Sequence, residues 1–376
     1  MSTALNKLGS HNLACPLVGF LLVAAPVIFG AGCAGPIHKT LSPNEQSTFR
    51  AAAIQAIQEA AFDNQPDHRM QAIEAFKEVA PAEGLATGAI SLNIDSTSPA
   101  VSFAALMAAG EIGAKSLMDQ IRTRAESSNP HVRIAALFAL HRLGSTGRTG
   151  ELSRFLLDNP DARVRANAAL AIGRLGGKGH VRLLKLALRR EQKTLVKLQI
   201  LESLALLQDR YATERLMLDG YSEYPDQATV ALMMLANAKA SAAEDLFATR
   251  LAKPSDFPEV QLQAARGLAR LGYNDGLDLA LRNLFFDSPK HVSAQDPARR
   301  QIDRVRGLAA MALEAMADPI ALGAMKRAFD APGQSVYVRL AVARAAIRTI
   351  DQNRKAIAGE KSEPASVARA AGEASK

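Results

Sequence analysis

A helical pattern recurs along the chain at a fixed spacing, and this recurrence limits what the chain can fold into. Residues 159–176, NPDARVRANAALAIGRLG, combine a turn, an apolar stripe that begins at Val164 and a closing glycine. The valine slot recurs 32 residues earlier at Val132 and 32 residues later at Val196. Further copies stand at Ala228, Val260, Val101, Val305, Val338 and, more weakly, near Arg69. Such a period indicates a repeat protein, in which each unit buries its apolar face against its neighbours.

The repeating unit consists of two helices. Small residues such as Ala168 and Ala171 occupy the slots four and seven positions after the anchor, which is the valine slot. A second apolar stripe of helical period precedes each of these helices, as in residues 150–158. Aromatic residues make up 5% of the chain, Trp is absent, and much of the apolar share is alanine, which favours helix. We therefore predict an all-α solenoid of about nine helix–turn–helix repeats of about 32 residues, with ends that differ from the middle.

The motif V-R-x-x-A-x-x-A-L-G-x-L-G fits residues 164–176 and 132–144 closely and the later copies more loosely. It resembles the motif of HEAT repeats, in the short form of the phycobilisome-lyase-like group. The resemblance extends over residues 43–350 and implies an armadillo-type superhelix. It implies little about function, because HEAT-like solenoids serve many roles.

The start of the chain has the layout of an export leader. Residues 13–29 are an apolar run that follows a polar start, and small residues come next. Ala31, Gly32 and Cys33 resemble the lipobox of bacterial lipoproteins. That resemblance implies that Cys33 is lipidated and becomes the mature N-terminus. Cleavage as an ordinary secretory leader and retention as an uncut anchor remain open alternatives.

These features divide the chain into four parts. Residues 1–32 are the expected signal peptide, 33–42 a tether, 43–350 the solenoid and 351–376 a polar tail that we predict to be disordered. Residue 34 is Ala rather than Asp. By resemblance to Gram-negative sorting, it implies the periplasmic face of the outer membrane, if the cell has one.

A basic residue follows the anchor in five repeats. These residues are Arg133, Arg165, Lys197, Arg306 and Arg339. HEAT proteins pair such a residue with an acid of the preceding turn, so the resemblance implies a pair between Asp161 and Arg165. The set would then form a ladder, by which we mean a series of structural contacts that link successive repeats.

A second basic set, Arg142, Arg174 and Arg270, lies near the C-terminal ends of the repeated helices, where the helix dipole favours cations. The alternative is a basic binding stripe along the concave face, which these helices usually line. Further candidates for the same face are Gln199, Glu202, Met233, Met234, Gln263 and Arg266.

The spacing between anchors widens to 45 residues between Val260 and Val305, which leaves an insertion at residues 286–300, FDSPKHVSAQDPARR. Long insertions in repeat proteins project as loops and often bind partners. The candidate binding residues of this loop are Lys290, His291, Arg299 and Arg300. A tolerated insertion without a function is the alternative.

The sequence favours a binding protein over an enzyme. It contains no phosphate-binding or dinucleotide-binding motif in a suitable context, its seven His residues are scattered, and its two Cys residues lie near the start. HEAT-like hydroxylases of the deoxyhypusine type carry iron on His-Glu pairs, and this chain has no His-Glu dipeptide. We therefore expect no catalytic residue, metal or cofactor.

We predict a membrane-anchored, non-enzymatic scaffold that binds a protein or peptide partner at the bacterial cell envelope. One alternative is a lyase-type enzyme built on the same repeats. Another is a polyanion-binding or nucleic-acid-binding solenoid that uses the basic stripe, to which the net charge of +8 would contribute. Nucleic acid is not the partner that we expect.

Overall fold

The computed structural model describes residues 40–79, 84–290 and 292–357. Contacts divide the chain into Met1–Gly35 and Pro36–Lys376, and everything described below belongs to the second unit. The described residues form eighteen α-helices and no β-strand. The prediction of an all-α solenoid is confirmed.

Four sequence-based predictions fall outside the described residues. They concern the signal peptide at 1–32, Cys33, His291 and the chain after Ile357. Within the described ranges, no helix is both long and apolar enough to cross a membrane.

The described helices form nine pairs, and the turn within each pair is short except for the loop between α15 and α16. The first four pairs are α1 (Pro43–Ala61) with α2 (Pro66–Val79), α3 (Leu85–Ile94) with α4 (Pro99–Ile112), α5 (Met118–Ala125) with α6 (Pro130–Arg142), and α7 (Gly150–Asp158) with α8 (Ala162–Leu175). The next three are α9 (Lys178–Arg190) with α10 (Thr194–Leu206), α11 (Arg210–Gly220) with α12 (Pro225–Asn237), and α13 (Glu244–Ala252) with α14 (Pro258–Leu271). The last two are α15 (Leu277–Asn283) with α16 (Ala298–Met316), and α17 (Leu322–Asp330) with α18 (Val336–Ile357).

Local sequence sets where these helices begin and end. Ser42 and Glu45 form a capping box at the start of α1, so two backbone N–H groups that the helix leaves free are bonded. At α8, the Asp161 carboxylate accepts a hydrogen bond from the backbone N–H of Arg163 at 2.7 Å. Gly176, with φ of 78°, ends the same helix in a conformation that glycine adopts easily.

The second helices of successive pairs pack on one another and form one layer. Their anchor residues, including Val132, Val164 and Val196, are fully buried in the shared core. Small residues let these helices approach closely: a Cβ atom built on Gly173 of α8 would lie 2.5 Å from the Cβ atom of Ser203 on α10. The slots that the sequence assigns to packing therefore lie at the contacts between repeats.

The two ends of the array pack against each other. Helix α18 contacts both α1 and α2, and Arg50 Nε lies 2.7 Å from Asp351 Oδ1. The rings of Phe49 and Phe329 meet edge to face with centroids 5.4 Å apart. Each end of the array therefore covers the apolar face of the other.

This packing of the two ends against each other, which we call closure, also explains where the last helix ends. We predicted a disordered tail from residue 351, but α18 continues without a break to Ile357. Asp351 lies in this extension and bonds Arg50, and Arg354 donates a hydrogen bond to Ser47 Oγ at 2.8 Å. These contacts with α1 hold the extra turns in a helix.

The array has two edges, because short turns make consecutive helices antiparallel. All second helices begin at one edge, which we call the intra-repeat edge because it holds the turns within pairs. All first helices begin at the opposite edge, the inter-repeat edge. Helix α1, and with it the described N-terminal end of the chain, begins at the inter-repeat edge, whereas the loop between α15 and α16 lies at the intra-repeat edge.

Candidate functional site

Two largely apolar cavities adjoin at Asp226, which lies in the first turn of α12 at the intra-repeat edge; the first extends from there along α11. The first, of 590 Å³, is lined by α9, α10, α11 and α12. The second, of 500 Å³, is lined by the N-terminal parts of α12, α14 and α16 and by the loop before α16. We call the two cavities together the edge groove. Cavities of this size and character are typical of binding sites.

The first cavity opens where the repeat packing is loosest. Helices α10 and α12 contact each other less than other neighbouring second helices do. The anchor slot of α12 holds Ala228, which fills less volume than the valine of the neighbouring repeats. The apolar wall of the cavity consists of Leu188, Leu198, Leu201, Leu216 and Val230. Tyr211, which is 58% exposed, also lines it.

The second cavity is built from aromatic and proline side chains with a charged rim. Phe257, Pro258 and Phe286 line it, and Phe257 is 46% exposed. Lys290, one of the predicted loop residues, lines the same cavity and is exposed. The insertion predicted as a binding loop therefore forms one wall of this cavity.

Arg304 of α16 holds the insertion in place. Its Nη1 and Nη2 atoms donate to the two carboxylate oxygens of Asp296 at 2.9 Å each, and its Nε donates to Glu259 Oε1 of α14 at 2.9 Å. These bonds raise the pKa of Arg304 and lower the pKa of Asp296. Sequence analysis missed Arg304, because no short-range motif relates it to Glu259.

Two further predicted loop residues, at the start of α16, donate to backbone carbonyl oxygens. Arg299 donates to the carbonyl oxygen of Gly333 at 2.8 Å, and Arg300 donates to the carbonyl oxygen of Gln295 at 2.8 Å. Arg306, predicted as part of the ladder, donates to the carbonyl oxygen of Phe286 at 2.8 Å and also to Gln334 Oε1 in the next helix pair at 3.1 Å. These three side chains therefore fix the base of the loop.

The ladder between repeats uses a different acid from the one expected. Asp161 caps α8, so Arg165 pairs with Glu191 at the end of α9, with Nε 2.7 Å from Oε2 and Nη2 3.0 Å from Oε1. Hydrogen bonds from Arg165 and from the backbone N–H groups of Lys193 and Gln192 lower the pKa of Glu191 to about 2. Arg133 likewise bonds an acid of the next repeat, Glu151, at 2.6 Å.

Lys197 and Arg339, the two remaining residues of the predicted ladder, have different surroundings. Lys197 lines the first cavity of the edge groove. The guanidinium carbon of Arg339 lies 4.6 Å from the ring centroid of Phe329, and the Arg339 side chain is exposed. The slot after the anchor is therefore a ladder in α6, α8 and α16 but not in every repeat.

The side of the second helices that faces the centre of the array does not form a continuous basic stripe. Arg174 of α8 bonds Glu111 of α4 at 3.1 Å, which links helices that are not neighbours and therefore crosses this inner face. Arg142 is exposed, whereas Arg266 is only 5% exposed and Arg270 is half-buried. The basic set predicted from the sequence thus divides into exposed Arg142, paired Arg174 and half-buried Arg270.

Several other candidates of the inner face belong to a polar network or to the core. Glu202 accepts hydrogen bonds from Gln199 at 2.9 Å and from Asn237 at 3.1 Å. Asn237 in turn accepts from Arg266 at 2.8 Å. Gln263 is buried, Met234 is a core residue, and Met233 packs partly buried against that core. Met234 was therefore wrongly assigned to the binding face.

Within the ranges that the structure describes, no group of three or more His, Cys, Asp or Glu residues is arranged to hold a metal ion.

Comparison with known proteins bears on the fold. Residues 124–205 match the family model for HEAT repeats. No curated protein sequence matches the chain.

Several solved structures align with most of the chain at low identity. Human deoxyhypusine hydroxylase is 18% identical, and the match covers 83% of this chain and 100% of that one, with a TM-score of 0.30. The complex of CpcE and CpcF of phycocyanin lyase from Nostoc sp. PCC7120 is 17% identical over 69% of this chain and 97% of that one, with a TM-score of 0.38. Kap121p is 12% identical over 82% of this chain and 39% of that one, with a TM-score of 0.32. Residues 124–205 thus carry HEAT repeats, and the described chain as a whole is an all-α solenoid.

Proposed function

We propose that this protein is a lipid-anchored, non-enzymatic scaffold at the bacterial cell envelope, and that it holds a protein partner in the edge groove. The observation that carries the proposal is the position of the groove, where loosened repeat packing and the insertion meet. A regular repeat array needs neither feature for its stability, since neighbouring repeats elsewhere pack without such a gap.

The composition of the groove supports a protein partner. Leucine, valine, phenylalanine and proline form its apolar walls, polar and charged side chains lie among them, and one exposed aromatic side chain stands at each cavity. Exposed apolar side chains that gather at one place favour a partner surface over open water. Aromatic residues are also enriched at the centres of protein interfaces, where their rings contribute a large contact area.

The anchoring part of the proposal rests on the sequence. Ala31, Gly32 and Cys33 resemble a lipobox, and the helical array begins shortly afterwards at Ser42, which caps α1. A lipid on Cys33 would therefore attach the array through a short tether.

The anchoring part of the proposal is tested by labelling cells with radioactive palmitate. We expect label in the native protein and none in the Cys33→Ser variant, because the thiol is the acceptor of the lipid. Equal labelling of both proteins would contradict the anchor, as would the absence of label from the native protein.

The binding part is tested by placing a carboxylate in each cavity. Tyr211→Glu and Phe257→Glu change exposed side chains, so the fold should tolerate both, yet each puts a charge into an apolar wall. We expect both variants to lose the partner that the native chain captures from envelope membranes. Leu92→Glu is the control, because Leu92 is 63% exposed and lies on α3, away from the groove. Equal loss in the control, or capture unaffected by both groove variants, would contradict the proposal.

A further inference from the structure

The inner face contains a cluster of arginines that the proposed scaffold function does not use. Arg266 and Arg270 lie one turn apart on α14, and Arg344 and Arg348 lie one turn apart on α18. In both helices these residues stand six and ten positions after the anchor, Val260 or Val338. Helix α16 packs between them and contributes Glu314. We call these four arginines the inner arginine cluster.

The cluster is only partly neutralised. Arg344 bonds Glu314 Oε2 through Nε at 2.9 Å and Nη2 at 2.6 Å, and Arg348 Nη1 lies 4.0 Å from Glu314 Oε1. Arg266 has amide partners, Asn237 and Gln263. Among the described residues, Glu314 is the carboxylate that lies within ion-pair distance of the cluster, and it is shared by two of its members.

Two carboxylates of α2 also act on the cluster but do not complete the pairing. Glu74 is bonded by Lys77, with Nζ 2.6 Å from Oε2. Glu78 acts on Arg266, Arg270 and Arg344 only through longer-range attraction. Hence one directly bonded carboxylate faces four guanidinium groups.

Arg270 is the least satisfied member. Its Nε atom is buried and has no hydrogen-bond partner in the described structure, and the same holds for Arg348 Nε. Burial lowers the pKa of Arg270, and the charges of Arg348 and Arg344 act in the same direction. For Arg266, burial and the charge of Arg270 lower the pKa to about 10. A buried cation without an acceptor is unfavourable, because it has lost water and gained no partner.

We propose that the inner arginine cluster binds a small anion with more than one negative charge, held through carboxylate or phosphate oxygens between α14 and α18. Guanidinium groups recognise such oxygens in pairs, because two parallel N–H bonds match their geometry. Arg270 and Arg348 supply the free donors, while Glu314 keeps Arg344 in position. This site is independent of the edge groove, so either proposal can fail without the other.

The test is a thermal-unfolding titration of the mature chain with pyrophosphate and with citrate, each against sodium chloride at matched ionic strength. We expect at least one of the two anions to raise Tm in a saturable manner, since a ligand that binds only the folded state stabilises it. Pyrophosphate and citrate separate a preference for phosphate from one for carboxylate. The absence of a saturable rise with both anions would overturn the proposal.

Two variants assign the effect to the cluster. Arg270→Gln should weaken the apparent affinity about ten- to a hundredfold, which is the usual effect of losing a charged hydrogen-bond donor. Arg142→Gln is the matched control, because Arg142 lies ten positions after its own anchor but is exposed. An equal loss of affinity in the control would place the site elsewhere and overturn the assignment.

Stability without the anion gives a second readout. If Arg270 serves to bind the anion and not to stabilise the fold, Arg270→Gln should leave Tm unchanged or raise it in buffer without multivalent anions. A purely structural Arg270 would instead give a lower Tm in that buffer, which would contradict the proposal. Arg348→Gln, at a side chain that is 35% exposed, repeats the affinity test at a position more tolerant of substitution.

Discussion

At the scale of single residues, the position of a residue within the repeat determines whether a larger side chain can be placed there. Gly173 lies where α8 and α10 approach, and Ser203 of α10 donates a hydrogen bond to the carbonyl oxygen of Ala169 beside it at 3.0 Å. The sequence predicts small residues at such slots from spacing alone. It does not reveal how close the helices come, because that distance depends on side chains from two different repeats.

Gly173→Ala tests this contact. Alanine is the better helix former by about 1 kcal/mol. A Cβ atom at this site would nevertheless lie 2.5 Å from the Cβ atom of Ser203 and 3.0 Å from its Cα atom, so one of the helices must shift. We expect a net loss of about 1–3 kcal/mol in the free energy of unfolding. Gly88→Ala, in open space within α3, should instead gain about 0.5–1 kcal/mol in urea denaturation. Two changes of the same sign would contradict the assigned packing.

The pair of Arg165 and Glu191 predicts a pH dependence. The Glu191 side chain is 8% exposed and its pKa is about 2, below its ordinary value of 4.5. A lowered folded-state pKa contributes stability that is present above pH 4.5 and is lost as the pH falls toward 2. Glu191→Gln should therefore remove about 1–2 kcal/mol at pH 7, allowing for screening by water, and less at pH 3.

Urea denaturation at the two pH values measures this difference. Glu214→Gln is the control, since its pair with Arg210 is on the surface, with side chains 55% and 91% exposed. A loss of stability in Glu191→Gln that does not depend on pH would contradict the role of the ion pair.

At the scale of elements, the helix pairs follow from the sequence but the loop before α16 does not. The spacing between anchors predicts an insertion at residues 286–300, and the insertion forms a wall of the edge groove. Its conformation depends on Arg304, which bonds residues on α14 and in the loop. Such a bond joins distant parts of the chain, so it has no period or motif that sequence analysis could detect.

Arg304→Met tests the support of the loop. We expect faster amide hydrogen exchange in residues 286–297, because both carboxylate bonds are lost while the apolar stem is retained. The helices should keep their protection, since the repeat core does not include this side chain. Arg282→Met is the control, because Arg282 is an exposed arginine on α15, outside the loop. Equal exchange in the two variants would show that Arg304 does not hold the loop.

At the scale of the molecule, closure is the feature that sequence reasoning could not reach. Spacing establishes that successive repeats stack, but whether the last meets the first depends on small rotations summed over all repeats. The contact between Arg50 and Asp351 joins residues 301 positions apart. Closure couples repeats that a linear array would leave independent.

Phe49→Ala tests this coupling. Phe49 is buried and meets Phe329, so its truncation should cost about 3–5 kcal/mol. If the array is closed, hydrogen exchange should rise in both α1 and α18. Phe138→Ala, at a buried site in α6 distant from the closure, should be comparably destabilising, yet it should leave α18 protected at low denaturant. Loosening of α1 without α18 in Phe49→Ala would contradict closure.

The central claim is that a protein partner occupies the edge groove, and site-specific photo-crosslinking in living cells tests it most directly. A photoreactive phenylalanine analogue is placed at Tyr211, at Phe257 or, as the control, at Leu92, and the adducts are identified by mass spectrometry. The account predicts that the two groove positions capture the same protein and that position 92 does not. Capture of that protein equally from position 92, or no adduct from either groove position, would contradict it.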